Sequence, residues 1–449
     1  MDNFTFEITL MLWHILRYLT TFILPSFYKR IQGKNVKNIM VKGPVIIAMN
    51  HPNAFADPVA FTYVSHPVRL KYLARGDAFK PGLISWLLEQ LGIVPIFRIQ
   101  DGGKEGLQKN DEAYRRVNAL LRRNSKIIVF AEGLCIQERR LRPLKKGVAR
   151  MVFGAYEFLK NDKLIVIPVG VNYSQPDKFR SDLFYNVGEP IYVKDFIEEY
   201  RSQPARAHKR FLQELEPRMK ELITHINNKK YDEVVPYIET LCKKDWLKEQ
   251  GLDPKSLADD YEVTKQITEK VNQAEISHPE VLDEFKEKSS RYFKELRKNG
   301  LRDWLINPKQ NRQVTSWGLY LRILPVVLGS PLYLLGLIGN ILPYKTTEKL
   351  TKRLVKRNKE FFASISIGVG SFMVLLNYLL WFFAIYAFSP SIFLPLLVCL
   401  VFSLCGWFTL YFHFFILKTR GIYRALKDEK TVKALAAQRE ELLSLINKF

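Results

Sequence analysis

The spacing of apolar and polar positions divides the chain into stretches of different period. Residues 6 to 28 are apolar and aromatic, interrupted by His14 and Arg17, and are followed by Lys29, Arg30, Lys34, Lys37 and Lys42. The charges come after the apolar run and no small-residue cleavage site is present. Residues 1–30 therefore read as an in-plane or uncleaved membrane-associated helix, not a secretory signal. From 31 to 196 strand-like and helix-like pieces alternate. Strands are expected at Val45–Met49, Arg69–Ala74, Lys126–Ala131, Leu164–Asn172 and Phe184–Val187, and helices at Gly82–Leu91, Asp111–Arg123 and Val148–Lys160. Such alternation predicts an α/β domain with a largely parallel sheet. Residues 197–318 are rich in Lys, Glu and Gln, with apolar residues at helical spacing as in Val263–Val271 and Val281–Leu296, and read as a helical module.

The segment 319–417 is of another kind. From Phe361 to Leu417 there is no Asp, Glu, Lys or Arg. A bilayer crossing takes about 20 residues, so this stretch predicts two membrane helices, 363–388 and 392–417, turning at Ser389-Pro390-Ser391. The earlier apolar run, 320–344, contains Arg322, Pro325, Pro331, Pro343 and several glycines, and is basic at both ends. Those features favour a re-entrant or interfacial hairpin over a crossing. A polar helix is expected over 418–449. The overall expectation is an α/β catalytic domain with a largely parallel sheet, followed by a helical module and C-terminal membrane helices.

Charge changes the picture once the apolar third is known. The formal net charge is +23, from 68 Lys and Arg against 45 Asp and Glu, which calls for an anionic partner. With membrane helices in the chain, that partner is expected to be an anionic bilayer or phosphorylated substrates and not nucleic acid. Cys135, Cys242, Cys399 and Cys405 are scattered, without CxxC or ligand spacing to histidine. Neither a disulfide framework nor a zinc site is implied.

The chemistry concentrates after the first apolar strand, in Met49-Asn50-His51-Pro52-Asn53-Ala54-Phe55-Ala56-Asp57-Pro58. Open α/β sheets carry their chemistry at strand ends. A His–Asp pair there can take a proton from a hydroxyl, the carboxylate fixing the imidazole tautomer. The chain has no Gly-x-Ser-x-Gly elbow, so His51 is expected to act on a substrate hydroxyl and not on one of the chain's own. Three further blocks follow. Gly92–Arg98 delivers an arginine after a short apolar strand, Val129-Phe130-Ala131-Glu132-Gly133 ends a strand on a carboxylate and a glycine, and Arg142–Arg150 opens a helix with cations. Val166–Tyr173 is a fourth strand. Each block alone is commonplace. Together they supply a base (His51, Asp57), a guanidinium matching a phosphate (Arg98), a carboxylate for a substrate hydroxyl or a backbone amide (Glu132) and cations at a helix start.

In these four ordered blocks, over about residues 40 to 190, the sequence resembles the glycerolipid acyltransferase family, which includes glycerol-3-phosphate and 1-acylglycerol-3-phosphate acyltransferases. His51 and Asp57 match its first block, Arg98 its second, Phe130-Ala131-Glu132-Gly133 its third and Ile167-Pro168-Val169-Gly170 its fourth. Five residues separate His51 from Asp57 where four are usual, a spacing that resembles a subgroup that includes fungal glycerol-3-phosphate acyltransferases that also accept dihydroxyacetone phosphate. On a continuous helix one added residue turns a side chain by about 100°, so the loop must be partly non-helical, which Pro52 and Asn53 permit. Leu134-Cys135 stands where Thr-Arg is usual, so the phosphate contact made there passes to Arg139, Arg142, Lys145 or Lys146.

The resemblance implies a membrane-bound O-acyltransferase acting in phospholipid synthesis. It implies an acyl-CoA or acyl-carrier-protein donor as co-substrate, a glycerol phosphate or lysophosphatidate acceptor, and neither metal nor bound cofactor. In that reading His51 and Asp57 are catalytic. Arg98, Glu132, Gly133, Arg142, Lys145 and Lys146 bind substrate, and the catalytic domain, 31–196, faces the cytoplasm. The alternatives are acylation of another lyso-lipid hydroxyl and a non-catalytic membrane protein that binds anionic lipid. Cys135 is read as a spacer, and Gly102-Gly103-Lys104-Glu105-Gly106, lacking the GK[ST] ending, as a flexible turn.

Overall fold

The computed structural model describes residues 3–449 apart from 77–78, 80–81, 91, 97–98, 312–313, 357 and 390. The chain forms two compact units. The first runs to His225 and adds Lys255–Lys265 and 357–364; the second comprises Ile226–Pro254, Gln266–Lys356 and Ile365–Phe449.

The first unit opens with helix α1 (Asn3–Phe27) and is built on one sheet. Its strands are β1 (Arg30–Lys34), β2 (Val45–Met49), β3 (Leu70–Arg75), β4 (Ile93–Ile96), β5 (Lys126–Phe130), β6 (Ile165–Tyr173), β7 (Asp182–Val187) and β8 (Ile191–Tyr192). They lie in the order β1-β7-β6-β2-β5-β3-β4, with β8 also on β6. All pairings are parallel except those of β6 with β7 and β8. The helices between them are α2 (Ala56–Val64), α3 (Leu83–Gln90), α4 (Ile99–Arg122) and α5 (Lys146–Leu159), and α6 (Ile197–Ser202) and α7 (Pro204–Glu221) follow the sheet. The largely parallel α/β sheet agrees with the sequence reading. Every residue of β2 is buried, as befits a central parallel strand covered on both faces. The Gly102-Gly103 segment lies inside α4, not in a turn, so a helical pattern on both sides outweighs the cost of two glycines, about 1 kcal/mol each.

Two registers set up the site. Met49 of β2 pairs with Phe130 of β5 and with Val169 of β6. The three strands are thus level there, but β6 runs on to Tyr173. Gly170 makes this possible: a Cβ there would collide with the backbone carbonyl of Leu222, just past α7. The glycine of the fourth block is therefore a packing requirement.

The second unit is helical: α8 (Val234–Glu249), the later part of α9 (Leu257–Ser277), α10 (Pro279–Lys298), α11 (Asp303–Ile306), α12 (Ser316–Val355), α13 (Phe362–Tyr386) from Ile365 onward, α14 (Phe393–Lys427) and α15 (Glu429–Ile446). Buried Asp303 receives hydrogen bonds from Nε of Arg439 (3.0 Å) and the hydroxyl of Tyr292 (2.7 Å), while the Arg439 guanidinium also donates to the carbonyl of Leu241 (2.7 Å). One ion pair thus ties α8, α10, α11 and α15 together.

Three helices among the described residues are long and apolar enough to cross a membrane: Ser316–Val355, Lys359–Tyr386 and Phe393–Lys427. The first corrects the expectation of a re-entrant hairpin, because α12 is continuous for 40 residues through Pro325, Pro331 and Pro343. The residues read as breakers have other uses. Gly336 faces the carbonyl of Cys405 and the side chain of Thr409, and Gly339 faces Phe402, so α12 and α14 approach closely and run antiparallel. Pro343 removes the donor to the carbonyl of Gly339, and Nδ2 of Asn377 donates to that carbonyl at 2.8 Å.

Candidate active site

His51 follows the end of β2, and Asp57 lies in the first turn of α2. The stretch between is bends and turns, with Ala54 at a positive φ of 21°. That irregular path brings the pair together despite five intervening residues: Nδ1 of His51 lies 2.8 Å from Oδ2 of Asp57. Asp57 is fully buried, while the His51 side chain is 15% exposed. The ring can therefore meet a substrate that the carboxylate cannot.

The carboxylate is fixed from three directions. Oδ2 also accepts the backbone N–H of Asn53 (2.8 Å), and Oδ1 accepts the hydroxyl of Tyr173 (2.6 Å). The hydroxyl of Tyr185 donates to the backbone carbonyl of Asp57 at 2.8 Å. Burial and the neighbouring Asp57 charge push the Tyr173 hydroxyl far above its ordinary range, so it stays a donor. With Asp57 as acceptor, the imidazole proton sits on Nδ1 and Nε2 is the free basic nitrogen.

The histidine is held equally firmly. Its ring stacks on Phe130 with centroids 3.6 Å apart, and its carbonyl accepts the N–H of Ile136 at 3.1 Å. Its own N–H donates to Oε1 of Glu132 at 3.3 Å, and Oε2 of Glu132 accepts the N–H of Arg142 at 2.9 Å. Glu132 therefore clamps two stretches of the chain's own backbone. Burial raises its carboxyl above the ordinary carboxylate range, against the pull of those two donors. Asn50 continues the β2–β6 pairing with its side chain, donating to the carbonyl of Val171 (3.1 Å) and accepting its N–H (2.7 Å).

Gly133 adopts a φ of +65° with the side chain of Lys145 close by, so the third block turns sharply where the cations begin. Arg142 donates from one guanidinium nitrogen to both oxygens of Glu138 at 2.8 Å. Lys145 precedes α5 and Lys146 is its first residue; both side chains are exposed. Arg98 lies outside the described residues. Arg139 donates to the carbonyl of Ser174 at 3.2 Å.

Cys135 is a contact and not a nucleophile. Its sulfur accepts the N–H of Ala54 at 3.0 Å, and burial, with Asp57 nearby, pushes its thiol far above the ordinary range. This contact joins the turn carrying Phe55 to the turn carrying Leu134, two exposed apolar side chains. Residues that sequence reasoning did not single out complete the loop. Gln137 donates from Nε2 to Oδ1 of Asn53 (2.7 Å) and to the carbonyl of Lys359 (2.9 Å), and the N–H of Ala56 donates to the hydroxyl of Ser364 (2.9 Å). Tyr173 was legible only as a strand end. Nothing in the sequence pairs it with Asp57, 116 residues away.

A sheet with this histidine at its strand ends matches known proteins over the same stretch. Residues 30–172 fit the family model described as Acyltransferase, and that segment is an acyltransferase domain. The chain is 36% identical over 90 residues to glycerol-3-phosphate O-acyltransferase 1 of Saccharomyces cerevisiae, covering 20% of this chain and 12% of that one. It is 32% identical over 107 residues to glycerol-3-phosphate O-acyltransferase 2 of the same yeast, covering 24% and 14%. Both relatives are named for acylation of glycerol 3-phosphate. The match spans about an eighth of the length of those relatives. The crystal structure of the 1-acyl-sn-glycerophosphate acyltransferase of Thermotoga maritima aligns with a TM-score of 0.34 and 16% identity, over 49% of this chain and 87% of that one.

Proposed function

We propose that this protein moves a fatty acyl group from a thioester donor to a hydroxyl of glycerol 3-phosphate or 1-acylglycerol 3-phosphate, in phospholipid synthesis. The observation that carries the reading is the His51–Asp57 bond of 2.8 Å, which leaves Nε2 of a partly exposed ring as a base. Nε2 takes the proton of the acceptor hydroxyl as its oxygen attacks the thioester carbonyl. Asp57 stabilises the imidazolium that forms, without taking its proton. Collapse of the tetrahedral adduct breaks the carbon–sulfur bond, and the imidazolium proton goes to the departing thiolate. The products are an ester, a free thiol and a neutral histidine.

The acceptor phosphate is held by Lys145 and Lys146 at the start of α5, where helix N–H groups and cations act together. Arg98 is assigned to the same phosphate from its sequence block. Arg142, engaged by Glu138, and Glu132, engaged by backbone, position this cradle, and Gly133 lets the chain turn beside it. Phe55 and Leu134 offer apolar surface to the acyl chain. Acyl-CoA or acyl-carrier protein serves as co-substrate, and the chemistry needs no metal or organic cofactor. We place the domain on the cytoplasmic face, where such donors and glycerol phosphate are found. A protease added to sealed right-side-out vesicles should leave it intact.

Incubating the full chain in membranes with labelled acyl-CoA and a panel of acceptors tests the assignment. Labelled lysophosphatidate or phosphatidate is the expected product. Label appearing only in a different lyso-lipid would move the acceptor, and no transfer to any acceptor would sink the enzymatic reading.

A further inference from the structure

The second unit contains a cavity of about 880 Å³ that the proposed acyl transfer does not use. Five cations line it: Lys244 and Lys248 of α8, Lys309 beyond α11, Arg322 of α12 and Lys418 of α14. Among the described residues that line it, two are carboxylates, Asp245 and Glu249. Asp245 is 3.6 Å from Nζ of Lys309, and Lys244 is 3.2 Å from the side-chain oxygen of Gln310. Gathering this many like charges around one space is unfavourable unless an anion enters it.

The position of two of these cations points to the source of the anion. Lys418 is the first charged residue after the charge-free run that begins at Phe361. Arg322 is the one charge in the apolar run of α12. Because α12 and α14 are antiparallel, with Gly339 against Phe402 and Gly329 against Phe412, Arg322 and Lys418 fall at the same level. The Arg322 guanidinium lies 5.1 Å from the ring of Phe415, which confirms that level. Trp317 and Tyr320, both largely exposed, sit within two turns of Arg322. Aromatic side chains with cations at the end of an apolar helix mark the headgroup zone of a bilayer. Trp304 supplies an aromatic wall of the cavity itself.

We propose that this cavity binds the phosphate headgroup of an anionic membrane phospholipid. Arginine and lysine at the interface take the phosphate, and Trp304 packs on the glycerol end. The two carboxylates reduce the five positive charges to a net +3, still in favour of an anion. The proposal does not depend on the acyl-transfer reading.

The test uses the full chain in nanodiscs containing phosphatidate, phosphatidylglycerol and phosphatidylcholine at equal mole fractions, with retained lipid read by native mass spectrometry. One anionic phospholipid per chain should be retained in preference to phosphatidylcholine. Lys309→Gln combined with Lys418→Gln should lower that retention by about a hundredfold, each lost charge-assisted contact being worth roughly tenfold. Lys309→Arg with Lys418→Arg should keep it. Equal retention of phosphatidylcholine would overturn the proposal. So would unchanged retention in a glutamine variant that melts like the parent. Displacement of the lipid by millimolar inorganic phosphate would overturn it too, by making this a site for free phosphate. If the glutamine variant fails to fold, the lipid preference of the parent and the arginine variant decides the matter.

Discussion

Two buried aspartates in this chain have nearly the same surroundings and, on the proposed function, opposite uses. Asp57 and Asp303 are each almost inaccessible, and each accepts a tyrosine hydroxyl, from Tyr173 in one case and Tyr292 in the other. The difference is the basic partner. Asp303 faces Arg439, a permanent charge that is itself 3% exposed. Asp57 faces a histidine whose ring has access to solvent. A pair buried on both sides, as Asp303 and Arg439 are, holds helices together. A pair whose outer member can gain and lose a proton can do chemistry. Neither the burial of the carboxylate nor its tyrosine distinguishes a site from a brace.

That contrast can be broken by substitution. Asp57→Asn and His51→Ala should each lower turnover by about 10²–10⁴, with melting temperature little changed. Near-normal turnover in either purified variant would remove the pair from the chemistry. Arg439→Ala should leave Asp303 buried and uncompensated, at a cost of about 3–5 kcal/mol in stability. Replacing Arg439 and Asp303 together by apolar residues of similar size should recover most of the loss in a denaturant titration. A double variant as unstable as the single one would mean that the ion pair is not the source.

The tyrosines sharpen the point. A hydrogen bond to a charged group is worth about 1.5–3 kcal/mol. Tyr173→Phe should appear mainly as slower turnover, and Tyr292→Phe as lower stability, when each is assayed both ways. The same readout for both would erase the distinction.

The smallest effect concerns acid. Leu141 donates its N–H to Nδ1 of His225 at 2.9 Å, and burial, with Lys220 and Arg140 nearby, lowers that histidine to about 4 from 6.5. The folded state thus prefers neutral His225 more than the unfolded state does. Its stabilising contribution is present above 6.5 and is lost as pH falls through about 4. His225→Gln should flatten the decline of melting temperature over that window. An unchanged slope would assign the acid sensitivity elsewhere.

Much of the sheet was legible because a buried parallel strand leaves an unbroken apolar run, as at Val45–Met49, whose bounds agree with β2. Strand β1 was not, because Arg30-Ile31-Gln32-Gly33-Lys34 has no such run and is recruited by β7, far along the chain. The apolar run 320–344 was misread because proline and glycine look the same in sequence whether they end a helix or pack it. Only Asn377 and α14, brought in by the tertiary fold, show which. In the site, His51 and Asp57 could be paired because they lie on one short loop. Their supports, Tyr173, Gln137 and Ser364, come from elements that no local pattern links.

The bonds from Gln137 and Ala56 to Lys359 and Ser364 have a consequence for how the protein is made. A ribosome adds roughly 5–20 residues per second. After His225 emerges, the interval until Ser364 follows is on the order of ten seconds. The sheet can assemble during that time, but the histidine loop lacks two of its partners. A nascent chain therefore carries the His51 loop in an unfinished form until α12 has also been synthesised. A chain broken off before that point would keep the domain's fold while lacking the last fastening of its active loop.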